Sequence, residues 1–204
     1  MRVRKYNLIT LLPAVLAVFL IAGFNAPAQE TRTIDQLVKR IDRITRAKRV
    51  PDSVFADVSQ NSKPRWRRFK SAKTLETYRT RNEVYSIFYN YHDRGRIGVA
   101  TLTDSSQSGD WVHYISYYFR RDGTLAKIVS DYRTFVGDYI GARNIYFDRK
   151  GKVLKRTNRY LTLRDRTPTK PTAENLRDNG PMMKIPIYRT VRRLPFGKLI
   201  PIPK

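Results

Sequence analysis

The strongest constraint on the fold is a two-residue alternation of side chains in the middle of the chain. In the run 84–91, every second position is aromatic or isoleucine: Tyr85, Ile87, Tyr89 and Tyr91. In the run 111–119, the corresponding set of alternate positions is Trp111, His113, Ile115, Tyr117 and Phe119. Successive side chains of a β-strand point to opposite faces, and strands favour aromatic and β-branched residues. The alternation therefore predicts strands that together form a sheet.

Short turn-forming segments divide this region. They lie at 93–95, 104–109, 121–123, 138–141 and 149–151; each contains Gly, four contain Asp and three contain Arg or Lys. Such composition is typical of tight turns between paired strands. The sequence thus predicts six strands near 83–92, 96–103, 111–121, 124–136, 143–149 and 152–163. Since the connections are short, neighbouring strands should be antiparallel and form a meander over 83–163.

An amphipathic helix is predicted before the sheet, over 31–49. Thr33 and Gln36 have the spacing of an N-terminal capping box, and Pro51 should prevent the helix from continuing. The apolar stripe consists of Ile34, Leu37, Val38, Ile41 and Ile44. We expect this stripe to pack on the sheet. The alternative is that the helix lies on an anionic membrane surface, because its other face is strongly basic.

The first 28 residues have the organisation of a secretory signal peptide. Arg2, Arg4 and Lys5 precede an apolar run over 8–24, and small residues follow at 26–28. This order predicts cleavage before Gln29 and export of residues 29–204 to the periplasm or the extracellular space. The alternative is an uncleaved N-terminal anchor, since the apolar run is close to the minimum of about 17 residues that can cross a bilayer.

The chain is strongly basic and contains no cysteine. Its 41 Lys and Arg against 17 Asp and Glu give a net charge of +24, which falls to +21 without the three basic residues of the signal. Such a charge attracts polyanions. For an exported protein we expect an anionic polysaccharide, a lipid surface or an acidic protein, and nucleic acid is a poorer candidate. The alternative is that a high charge is general in the source proteome and has no specific role.

The densest basic cluster is the candidate binding site. It consists of Lys63, Arg65, Trp66, Arg67, Arg68 and Lys70. Cations around an aromatic ring can bind anionic groups and stack on planar ones. The alternative is core packing, because Trp66 and Phe69 have a spacing that places both on one face of a helix. Residues 29–82 are accordingly predicted to be a helical and basic N-terminal segment.

Proline marks a different C-terminal region from residue 164 to 204. Seven of the eleven prolines lie here, so we expect an irregular, extended arm. One helical turn is predicted at 172–178. The apolar residues that follow indicate that the arm lies along the sheet as an edge strand or wraps over it. Residues 29–204 then form one α+β domain with six or seven antiparallel strands.

Searches for catalytic and metal-binding patterns in the sequence give no candidate. Only His92 and His113 could act as imidazole bases, and neither lies in a Gly-x-Ser-x-Gly context. No His-x-x-x-His or calcium-loop pattern occurs in the sequence. Asp131 lies mid-strand on the same face as Lys127 and Arg133, so we expect it to form an ion pair. We therefore predict no catalytic residue, metal or cofactor.

Three functional hypotheses remain at this stage. The preferred one is an exported, non-enzymatic β-rich domain that binds an anionic envelope component or partner through its basic surface. The second is a periplasmic carrier or sensor of an apolar ligand, held in a half-barrel cavity lined by Tyr89, Tyr117, Phe119 and Phe147. The third is a cell-wall hydrolase with an unrecognised site. The sequence does not indicate an oligomeric state.

Overall fold

The computed structural model describes residues 12–59 and 63–200, with side chains described from Ala28 onward. Within these residues it contains three α-helices and one antiparallel sheet of eight strands. The predicted α+β class with an antiparallel sheet is confirmed. The predicted number of six or seven strands is too low, because two further strands extend the sheet at one edge.

The eight strands follow one another across a single sheet. They are β1 Ser53–Asp57, β2 Trp66–Phe69, β3 Ser86–Asp93, β4 Arg96–Ser105, β5 Trp111–Phe119, β6 Leu125–Thr134, β7 Tyr139–Phe147 and β8 Val153–Thr162, in the spatial order β2-β1-β3-β4-β5-β6-β7-β8. Strands β3 to β8 form the predicted meander. The predicted turn at 138–141 is displaced, since Gly137 and Asp138 have positive φ values of 90° and 51° and the buried pair Tyr139 and Ile140 already belongs to β7.

The two added strands lie in the segment 29–82, which was predicted to be helical and basic. Strand β1 is central to this part of the sheet, and its Val54 pairs with Tyr89 of β3 and with Phe69 of β2. The loop between β1 and β2 is closed by Asp57, whose Oδ1 accepts a hydrogen bond from the backbone N–H of Arg65 at 2.8 Å. Residues 29–82 therefore contribute strands as well as helices.

Helix α1 spans Leu12–Lys48 and begins well before the predicted start. The predicted N-cap at Thr33 with Gln36 is wrong, because Thr33 lies inside the helix and its hydroxyl donates to the carbonyl of Gln29 at 3.1 Å. The helix ends before Arg49, which has a positive φ of 59°. Of the signal-peptide prediction, residues 1–11 lie outside the described residues.

Apolar and polar contacts together hold α1 on one face of the sheet. Its Ile34, Val38 and Ile41 belong to one core cluster with Val99, Tyr118, Ala126 and Tyr146 of the strands. The carboxylate Oδ1 of Asp35 accepts hydrogen bonds from Lys127 Nζ and from Tyr146 OH, both at 2.9 Å. Lys127 therefore pairs with the helix, whereas Asp131 pairs with Arg133 at 2.8 Å as predicted.

The C-terminal arm lies across the opposite face of the sheet. It contains α3, Ala173–Asn179, and two short 3₁₀ helices at Val191–Arg193 and Gly197–Leu199. Leu194 and Phe196 are buried in the main core with strand residues such as Phe55, Tyr117 and Phe119. The sheet also binds the arm backbone, since Tyr117 OH donates to the carbonyl of Pro186 at 3.0 Å. Both faces of the central strands are therefore covered in this region.

Helix α2, Ala72–Arg79, follows β2 and packs on the same face of the sheet as α1. Ser71 caps its start, accepting a hydrogen bond from the backbone N–H of Thr74 at 3.2 Å. Leu75 is fully buried against Val54 and Ile87. This packing fixes α2 beside the edge strand β2 and creates a groove between them.

Candidate functional site

This groove is a basic surface recess, which we name the α2 groove. Its volume is about 710 Å³. Its lining includes the cations Arg67, Arg68, Lys70 and Arg81, together with Tyr78, Asn82 and three threonines of the α2 region. The groove is open to solvent, and all four cationic side chains are exposed.

The alternation of β2 positions the basic residues around the groove. The side chains of Arg67 and Phe69 point to the face of the sheet that carries α2, whereas that of Trp66 points to the opposite face. Phe69 is buried beneath the groove and packs against Tyr78 with ring centroids 5.3 Å apart. Arg68 also borders the groove as a residue of the edge strand, but its side chain has the direction of Trp66, and its charge adds to the effect of burial in lowering the pKa of His92.

Two aromatic rings hold the Arg67 guanidinium. Its carbon Cζ lies 5.2 Å from the Phe69 ring centroid and 5.4 Å from that of Tyr78. Such cation–π contacts restrict the side chain while leaving its N–H groups able to donate. A guanidinium held in this way loses little conformational entropy when it binds an anion.

All charged residues in the lining of the α2 groove are positive. Within residues 28–59 and 63–200, none of its four cations has a carboxylate partner within ion-pair distance. The nearby Arg79 differs, because it pairs with Glu76 at 3.1 Å. Several uncompensated cations around one recess produce a local field that attracts anions.

The structure distributes the six sequence-predicted site residues between the groove, the core and the adjoining loop. Arg67, Arg68 and Lys70 line the α2 groove. Trp66 instead packs into the core, with its ring centroid 5.4 Å from Phe88 and 6.0 Å from Phe196. The other two residues belong to the loop before β2: Lys63 is exposed, and Arg65 donates to the carbonyl of Val58 at 3.4 Å.

Arg81 is the groove cation that sequence reasoning missed. It follows α2 and stands 11 residues after Lys70 in the chain. The folding of α2 back over β2 brings it to the same recess. A sequence signal for this would have been the pair of a short capped helix and basic residues on both sides of it.

The two histidines lie in different surroundings, and neither is in the α2 groove. His113 is 2% exposed, with Nδ1 3.1 Å from the carbonyl of Met182 and Nε2 2.7 Å from Ser130 Oγ. Burial lowers the pKa of His113 to about 4. A hydroxyl–imidazole pair is a component of nucleophilic catalysis, but the arm covers this pair and Ser130 is also buried. Burial lowers the pKa of His92 as well, opposed by the charge of Asp52.

The residues assigned to an apolar cavity do not line a common space. Tyr117, Phe119 and Phe147 are at most 1% exposed and pack in one core cluster with Leu194 and Phe196 of the arm. Tyr89 packs elsewhere, against the cluster beneath α2. The arm therefore fills the position that a ligand of a half-barrel would occupy.

Comparison with known proteins gives no match: no family model, curated protein or solved structure is similar to this chain. Among the described residues, no group of three or more His, Asp or Glu side chains is arranged to hold a metal ion. No helix in the described part of the chain combines the length and the apolar character that crossing a bilayer requires.

Proposed function

We propose that this protein is an exported, non-enzymatic domain that binds an anionic polymer of the cell envelope in the α2 groove. The observation that carries the proposal is that Arg67, Lys70 and Arg81, together with Arg68 of the same edge strand, line one recess whose lining contains no carboxylate. A polymer presents many anionic groups, so several of these cations can be neutralised by one molecule.

The physical basis of binding is electrostatic, because several anionic groups of one polymer pair with the cations of the groove. Each neutralised anionic group releases counterions, which makes the affinity high at low salt and strongly dependent on ionic strength. Arginine adds bidentate hydrogen bonds to carboxylate, sulfate or phosphate groups. Arg67 is already restrained by Phe69 and Tyr78, which reduces the entropic cost of these bonds.

The shape of the groove favours a polymer chain over a lipid surface. Proteins that insert into membranes present exposed apolar residues together with their cations. Here Phe69 is buried beneath the groove and Tyr78 is half-buried. The cations instead surround a recess, which suits a narrow chain better than a flat bilayer.

A charge-matched pair of variants tests the proposal. The groove variant is R67Q/R68Q/K70Q/R81Q, and the control is K150Q/K152Q/R156Q/R159Q, which removes the same charge from exposed residues at and before β8. Charges on an edge strand such as β8 protect it from pairing with other strands. The two variants have the same net charge as each other and differ in the place from which four positive charges are removed.

Binding to dextran sulfate and to polyphosphate is measured at low and at moderate salt. If each groove cation contributes about 0.5 kcal/mol, the groove variant binds roughly 30-fold more weakly than the native protein, and the control changes far less. An equal loss in both variants would assign binding to the overall charge. Absence of binding by the native protein would refute the proposal altogether.

Export is part of the proposal and has a separate test. Removal of residues 1–28 leaves every described contact of α1 with the sheet, the first being Glu30 with Arg120 at 3.6 Å. We expect protein expressed with its full N-terminus to be recovered from the exported fraction with Gln29 as its first residue. Intact mass spectrometry measures this, and recovery of only the full-length chain would contradict cleavage.

A further inference from the structure

The α2 groove continues into a second recess, which we name the loop groove. Thr80, Arg81 and Asn82 line both recesses, so the two adjoin at the end of α2. The loop groove has a volume of about 560 Å³ and extends to the loop between β4 and β5. A chain bound in the α2 groove can therefore extend into it.

The loop groove differs chemically from the α2 groove. Besides Arg81 and Arg79, which pairs with Glu76, its lining includes the carboxylate of Glu83, the amide of Gln107, the hydroxyls of Ser106 and Ser108, and the rings of Tyr85 and Trp111. Both Glu83 carboxylate oxygens lie 3.4 Å from Gln107 Nε2. Hydroxyl, amide and carboxylate groups next to aromatic rings are suited to the hydroxyls and apolar faces of sugars.

The carboxylate in the loop groove distinguishes between polyanions. A polymer with a charge on every unit would bring an anion close to Glu83, which is unfavourable. A polysaccharide in which acidic and uncharged sugars alternate avoids this contact. Its acidic sugars can occupy the α2 groove while an uncharged sugar donates hydroxyl hydrogen bonds to Glu83.

We infer that the bound polymer is an acidic polysaccharide, whose charged units bind in the α2 groove and whose uncharged units bind in the loop groove. This inference rests on the proposed function, because it specifies the ligand class of the same surface. It assigns the loop groove residues Glu83 and Gln107 to recognition of sugar hydroxyls.

The test compares hyaluronan, in which acidic and uncharged sugars alternate, with polyphosphate, which is charged on every unit. The loop variant is E83A/Q107A. Its matched control is E174A/Q36A, which replaces the same residue types at other exposed positions. Because all four residues are exposed, both variants should keep the fold, and circular dichroism of the full chain checks this.

We expect E83A/Q107A to bind hyaluronan about fivefold more weakly, the size of one or two lost hydrogen bonds. Its affinity for polyphosphate should be unchanged or higher, and E174A/Q36A should match the native protein for both polymers. If E83A/Q107A leaves hyaluronan binding unchanged while both polymers still require the α2 groove cations, the polysaccharide inference is overturned and the proposed function stands. If the native protein binds neither polymer, both are refuted.

Discussion

Acidification should destabilise the protein through His113, beneath the C-terminal arm. Since a carbonyl can only accept, Nδ1 of the ring donates to Met182 and Nε2 accepts from the hydroxyl of Ser130. A second proton on the ring removes this acceptor and places a charge in the core. Burial is the main reason why the pKa of His113 falls from 6.5 to about 4. The charge of Arg143 lowers it further, while the bond to Met182 and the charge of Asp131 oppose the fall.

The size of the effect follows from this pKa. The unfolded chain binds a proton at His113 near pH 6.5, whereas the folded protein does so only near pH 4. The stabilisation is therefore complete above pH 6.5 and is lost as the pH falls toward 4. Each pKa unit corresponds to about 1.36 kcal/mol, so His113 should account for a loss of about 3 kcal/mol over this window.

The assay is urea unfolding between pH 7.5 and 4.5 of the native protein and of H113N. The difference between the two isolates His113, because His92 also has a lowered pKa and is present in both proteins. Between pH 7.5 and 4.5, the free energy of unfolding should fall by roughly 2 to 3 kcal/mol less in H113N than in the native protein. The same pH dependence in both proteins would refute the reasoning. If H113N fails to fold, proton NMR of His113 in the native protein decides, since a charged imidazole at pH 5.5 would also refute it.

Two ion-pair substitutions, two substitutions at buried positions and one glycine control give further predictions, each measured by chemical unfolding. D35N should lower the free energy of unfolding by about 2 kcal/mol and K127M by less, because D35N leaves the buried Lys127 ammonium without its carboxylate. A larger loss in K127M than in D35N would contradict this. F196A should cost about 3 to 5 kcal/mol, since this ring is fully buried in the core, and a loss under 1 kcal/mol would be inconsistent with that packing. G197A should cost roughly 1 to 3 kcal/mol because its Cβ would overlap the carbonyl of Arg192, whereas G109A, with open space around it, should show only the strain of its positive φ.

The central meander was predictable because its strands are long and separated by clear turns. Strands β3 to β8 have eight to ten residues each, which is enough for the alternation to be visible. Strand β1 was missed because it has five residues, of which the first four are all buried. A strand covered on both faces shows no alternation of polar and apolar side chains.

The candidate site was predictable only in part, since side-chain direction depends on distant contacts. The basic cluster in the sequence contains Arg67, Arg68 and Lys70, which line the α2 groove. It also contains Trp66, which is directed inward by Phe196 from the C-terminal arm. Arg81 joins the groove only because α2 packs over β2, and the basic run 63–70 alone does not predict this tertiary contact.

The most direct test of the account is a titration of the isotope-labelled protein with hyaluronan, followed by amide NMR. We expect the perturbed amides to concentrate at residues 67–70 and 77–85, which line the α2 groove and its junction with the loop groove, and at 105–111 in the loop groove. The amides of the basic strand β8 should change little. Perturbations that are equally large on β8, or that are absent from the two grooves at saturation, would contradict it.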